Sequence, residues 1–146
     1  TMRMAEAYLN KMEACAMQSG KEAEANSLLN TLRLQRIDNY SDQTYSGEEL
    51  VQQIRDERRK ELCFEGHRWF DLRRYAVNQV QPFQKDIIRY YTVYDNNSDA
   101  LIQTEIYRLP AGDPAYTFVI PKSVIEFEPG LVNNPRNSRE YEALLD

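Results

Sequence analysis

The sequence holds one histidine, one tryptophan, two cysteines and five glycines in 146 residues, and none of its six prolines falls before Pro82. These scarcities exclude whole classes of protein. A lone His67 cannot supply the clustered imidazoles of a zinc centre, and a helical-bundle di-iron site needs Glu-x-x-His, whereas Phe64 stands three before His67. No His-Glu-x-x-His, Gly-x-Ser-x-Gly or phosphate-cradling glycine loop is present, so no catalytic residue and no cofactor or metal is expected. Cys15 and Cys63 are too few for a disulfide scaffold and too far apart for a metal knuckle, and both read as buried thiols within helical patterns. Lys11 and Glu13 break the apolar stretch that would make Cys15 a lipid-attachment site. No apolar run approaches the roughly 20 residues that span a bilayer, and no charged-then-apolar leader opens the sequence, so neither a spanning nor an export segment is expected. Eighteen basic against 23 acidic residues give a net charge of -5 without a long basic tract, which argues against nucleic acid as a partner.

What is present is enough to fold. Leu, Ile, Val and Phe total 33 of 146 residues, just above the level of about one-fifth below which chains stay disordered. The length suits one domain, with residues 1–80 helical and residues 81–146 made of short strands and loops, because the prolines begin where the helical pattern ends. In residues 3–18, Ala5, Tyr8, Leu9, Met12 and Cys15 or Ala16 form one apolar stripe, and Ser19-Gly20 ends it. Residues 22–37 repeat the pattern through Ala25, Leu28, Leu29 and Leu32, giving an antiparallel helical hairpin. Ser46 and Glu49 read as a capping box for a helix that continues to about Tyr75, roughly 45 Å long. Gly66 marks a bend in it or a close approach by another backbone.

Beyond it, Ile87–Tyr94 and Leu101–Leu109 predict a β-hairpin around the turn formers Asp95 to Asp99. The alternation of Tyr116, Phe118 and Ile120 predicts a third strand, and a short helix is expected over Lys122–Phe127 in an otherwise irregular, proline-rich tail. The fold class is therefore mainly α: a tetratricopeptide-like hairpin and one long helix, then a small antiparallel β region.

Residues 55–74 hold seven basic and five acidic side chains, and the stripe from Val51 and Ile54 runs on through Arg58, Leu62, Glu65, Trp69 and Leu72. Charges thus fall in line with apolar residues. Glu57, Glu61 and Glu65 would repel in an isolated helix, while Arg58 and Arg68 are spaced to neutralise Glu61 and Glu65. The expectation is a buried, paired structural network of Glu57, Arg58, Glu61, Glu65 and Arg68, since unpaired burial of such groups costs several kcal/mol each. His67 reads as a packed or half-exposed helix residue and Trp69 as core.

Two stretches carry a family resemblance. Glu57-Arg58-Arg59-Lys60-Glu61-Leu62 with Phe64-Glu65-Gly66-His67-Arg68-Trp69-Phe70-Asp71-Leu72-Arg73-Arg74 resembles the hallmark segment of the SusD/RagB family. Ile120-Pro121-Lys122-Ser123 with Pro129-Gly130-Leu131-Val132-Asn133-Asn134-Pro135 is similar to its closing segment. Val124, Glu128 and Asn133 depart from the usual Glu, Asn and Gln. Ala5-Glu6-Ala7-Tyr8-Leu9 and Leu28-Leu29-Asn30 are similar to the tetratricopeptide-type helical pairs of that family, whose members are several times longer. The resemblance implies the C-terminal portion of a surface-exposed lipoprotein of a Bacteroidetes-type outer membrane, anchored through a preceding part, that binds glycans without cleaving them. It further implies delivery to a SusC-type TonB-dependent transporter.

No binding residue carries over from the family motifs. Flat aromatic rings hold sugars by their C–H faces, which makes Tyr90, Tyr91 and Tyr94 the ligand-binding candidates, although strand aromatics more often pack across strands. Two other readings stand beside this one: a tetratricopeptide-like protein-interaction scaffold without a glycan ligand, and a hydrolase using Glu61 and Glu65.

Overall fold

The computed structural model describes residues 3–95, 98–128 and 130–137, and residues 142–144 by their backbone. The predicted turn residues Asn96 and Asn97 and the motif residue Pro129 lie outside them. The chain forms two compact units, Thr1–Phe83 and Gln84–Asp146. The first is helical: α1 (Met4–Ala16), α2 (Glu22–Leu34), α3 (Gly47–Glu61) and α4 (His67–Ala76). Its apolar stripes meet in one core of Leu9, Met12, Cys15, Ala25, Leu29, Leu32, Leu50, Ile54 and Leu62. Leu9, Met12, Leu29, Leu50 and Ile54 are wholly shielded from solvent, and complete burial of such a side chain is worth about 1.5–3 kcal/mol.

An extended segment returns from α2 to α3, and two asparagines one helical turn apart hold it. Asn26 donates from Nδ2 to the Tyr45 carbonyl and accepts from the Tyr45 N–H at Oδ1, both at 2.9 Å. Asn30 grips Gln43 in the same two-way fashion at 2.8 and 3.1 Å. Residues spaced by four on a helix thus match residues spaced by two on an extended segment.

α3 begins after Ser46 as expected, but the capping box does not form, since Ser46 makes no side-chain cap bond. The Gly47 N–H donates instead to Glu22 Oε1 at 3.1 Å. The expected single long helix is two helices. Phe64 (φ 64°) and Gly66 (φ 81°) both adopt left-handed backbone between them. A reason lies in the charges: on a continuous helix, Arg58 and Asp71 would stand about 20 Å apart along the axis. Across the break they pair at 2.9 Å. Cys63, expected to be buried, falls in this turn and is exposed, whereas Cys15 is buried.

The second unit contains β1 (Ile87–Tyr94) paired antiparallel with β2 (Leu101–Leu109), in register from Ile87 opposite Leu109 to a bulge at Val93/Tyr94. Asp95 Oδ1 shapes the connecting turn by accepting from the N–H and hydroxyl of Ser98. The short helix α5 spans Lys122–Phe127. The strand predicted through Tyr116, Phe118 and Ile120 is absent. Pro114–Tyr116 is a 3-10 turn capped by Asp113. The backbone that follows is satisfied by side chains: Asn133 grips Ile120 from both sides, Asn134 donates to the Phe118 carbonyl, and Arg136 donates to that of Thr117. With its hydrogen bonds met in this way the segment has no need of a strand partner. The sheet's third strand is instead β3 (Glu142–Leu144), which pairs with Thr104 to Ile106 in what was expected to be irregular tail.

Candidate functional site

The hallmark segment places a lattice of charges inside the helical unit. Arg33 Nε donates to Glu57 Oε2 at 2.8 Å, with both side chains about 95% buried, and Nη2 donates to Gln53. Arg58 Nε lies 2.9 Å from both oxygens of Asp71, and its Nη1 donates to Asn10 Oδ1 at 2.7 Å. Arg74 completes a bidentate pair with Glu13 at 2.8 and 2.6 Å, and its Nε donates to Asp71. Lysine could not make these forked contacts. Tyr75 lies beneath two guanidinium groups, Arg55 at 4.3 Å and Arg74 at 4.5 Å. Burial, reinforced by the Glu13 and Asp71 carboxylates, pushes its hydroxyl up to about 12. Arg55, whose charge is disfavoured by desolvation, donates to the Gln81 carbonyl at 2.7 Å.

The expected network is thus redistributed. Arg58 pairs with Asp71 and not with Glu61, whose partners are Arg36 and Arg3. Glu65 pairs with Arg3 at 3.0 Å. Glu57 pairs with Arg33 and Lys60. Arg68 takes part in no ion pair among the described residues, because the break between α3 and α4 interrupts the helical spacing through which it would have reached Glu65. Helical spacing within one segment could not reveal Glu13, Arg33 and Asn10, which come from other helices.

The Arg36 guanidinium, by hydrogen bond and charge, holds the Glu61 carboxyl below the usual range. A carboxylate held ionised in this way is a poor general acid. Among the described residues no group of three potential ligands could hold a metal ion, and no helix is long and apolar enough to cross a membrane.

A second feature of the helical unit is a cavity of about 320 Å³ at the α3–α4 junction. Its lining includes Arg58, Arg59, Phe64, His67, Arg68 and Trp69. Trp69, read from the sequence as core, is half-buried there, and His67 is half-buried 3.9 Å from Glu6.

In the sheet unit, Tyr90, Tyr91 and Tyr94 are all exposed, but strand alternation divides them. Tyr90 and Tyr94 lie on one face and Tyr91 on the other, so they do not form one platform. Tyr91 instead shares its face with Arg89 and with Tyr107, the cross-strand partner of Arg89, and these three line a shallow cavity of about 380 Å³. The pairing register was the signal that could have singled out Tyr107.

Comparison with family models matches residues 1–136 to the SusD family. No curated protein and no solved structure matches the chain.

Proposed function

The chain belongs to the SusD family, nutrient-binding, non-catalytic proteins associated with transport, and from that membership we propose that it captures glycans at the outer-membrane surface for a SusC-type TonB-dependent transporter. The match over residues 1–136 carries this reading. The protein binds oligosaccharide without turnover, is held at the outer membrane by a lipid anchor, and takes no cofactor. Its charged lattice is a structural brace. Within the sheet unit, Tyr91 and Tyr107 offer the flat rings and Arg89 the hydrogen-bond donors that a sugar needs. The scaffold reading is weakened by the strap on α2: the amides of Asn26 and Asn30, which would be suited to hold a foreign extended peptide, are already engaged by Tyr45 and Gln43.

Two measurements test the proposal. Extraction of outer membranes in mild detergent, with the protein as bait, recovers a TonB-dependent transporter; its absence counts against delivery. Tyr91→Ala weakens retention on a neutral glycan by about tenfold, the usual worth of a stacked aromatic ring, and unchanged retention removes Tyr91 from the contact.

A further inference from the structure

The lining of the cavity at the α3–α4 junction holds more arginines than carboxylates, in a chain whose net charge is -5. Three arginines line it. The charge of Arg58 is met by Asp71, whereas Arg59 and Arg68 make no ion pair among the described residues. The one carboxylate in the lining, Asp71, is held between Arg58 and Arg74 and has no charge to spare for either of them. Half-buried Trp69 lines the same cavity. The first turn of α4 carries no acidic residue, so its backbone N–H groups add to the positive field. Two guanidinium groups next to an indole are suited to a ring that bears a negative substituent: the arginines take the anion as forked donors and the indole takes the C–H face.

We infer that this cavity is a binding site for an acidic sugar unit, its carboxylate or sulfate held by Arg59 and Arg68 and its ring set against Trp69. The inference rests on the glycan-capture reading and adds to it a substrate class, polyanionic glycans. It assigns recognition of the anion to the helical unit.

Calorimetry on the 146-residue chain at low salt tests it with a galacturonate tetrasaccharide, a sulfated tetrasaccharide, a neutral tetrasaccharide and an acidic peptide of matched charge. The expected result is that one or both acidic sugars bind, the two arms separating carboxylate from sulfate, and that Arg59→Gln weakens this binding about tenfold, the worth of one charge-assisted contact. Arg59 is exposed, and an unchanged melting curve shows that the variant folds. Trp69→Leu is expected to weaken the acidic sugars but not the peptide, which separates a sugar site from a general anion site. Neutral sugar binding that Arg59→Gln leaves intact, without any preference for acidic sugars, overturns this inference and leaves glycan capture standing. Failure of every sugar to bind overturns the inference and counts against the capture reading as well. Equal binding of the acidic peptide, or acidic-sugar binding indifferent to both substitutions, also overturns it.

Discussion

Replacing Arg58 by alanine is the sharpest perturbation of the charged lattice. Arg58 and Asp71 are each only 4% exposed, and the guanidinium also satisfies Asn10. Removing one partner of such a buried pair costs about 3–5 kcal/mol, because the other is left charged in a place water cannot reach. Asp71 keeps its bond from Arg74 at 2.9 Å, which softens the loss towards the lower end, about 3 kcal/mol. Against a total stability of about 5–15 kcal/mol that is a large fraction, and for a chain of this length it lowers the melting temperature by about 6–12 °C. Urea and thermal unfolding give the number directly. The double replacement Arg58→Met with Asp71→Leu removes both charges and is expected to recover most of the loss, since the penalty lies in the orphaned charge and not in missing attraction. A loss below about 1 kcal/mol, within the range of a surface ion pair, refutes the reasoning. So does a double variant no more stable than Arg58→Ala alone.

Other predictions follow from single features. Phe64→Gly is expected to raise stability by about 1 kcal/mol, because the fully exposed ring packs on nothing while the left-handed backbone costs a side chain about that much; denaturant unfolding that shows a loss contradicts this. Tyr75 ionises near 12, above the usual value of about 10, so its contribution to stability is intact below pH 10 and is lost as pH rises from there. Ultraviolet titration should show a tyrosine step near pH 12 that Tyr75→Phe abolishes. Glu61 titrates low, so the stability it contributes is present above the unfolded carboxyl value and lost as pH falls through the folded one. Arg36→Ala should therefore flatten the acid limb of the stability profile, and an unaltered limb rejects the pairing. Asn30→Ala should cost about 1–2 kcal/mol by removing both hydrogen bonds to the Gln43 backbone, and hydrogen exchange at the Gln43 amide should accelerate.

The parts of the fold legible in the sequence are those whose causes are local. β1 and β2 follow from β-branched and aromatic runs on either side of a turn cluster, and α5 follows Pro121. The core faces of α1 and α2 follow from steps of three and four. What escaped the sequence was decided at a distance. The helix break depends on Asp71 turning back to Arg58, and no local signal forces Phe64 into left-handed backbone. The absence of a strand through Tyr116, Phe118 and Ile120 depends on Asn133 and Asn134, which lie more than ten residues along the chain. The aromatic face shows the same division: the tyrosines were visible in the sequence, but only the register sets Tyr91 beside Tyr107 and turns Tyr90 away.

The central claim is that this chain holds sugars and leaves them whole. Incubating the protein with a glycan, then assaying both retained polymer and newly formed reducing ends in one sample, tests it most directly. Retention with no new reducing ends is expected. Cleavage abolished by Glu61→Gln, or no retention of any polysaccharide, contradicts it.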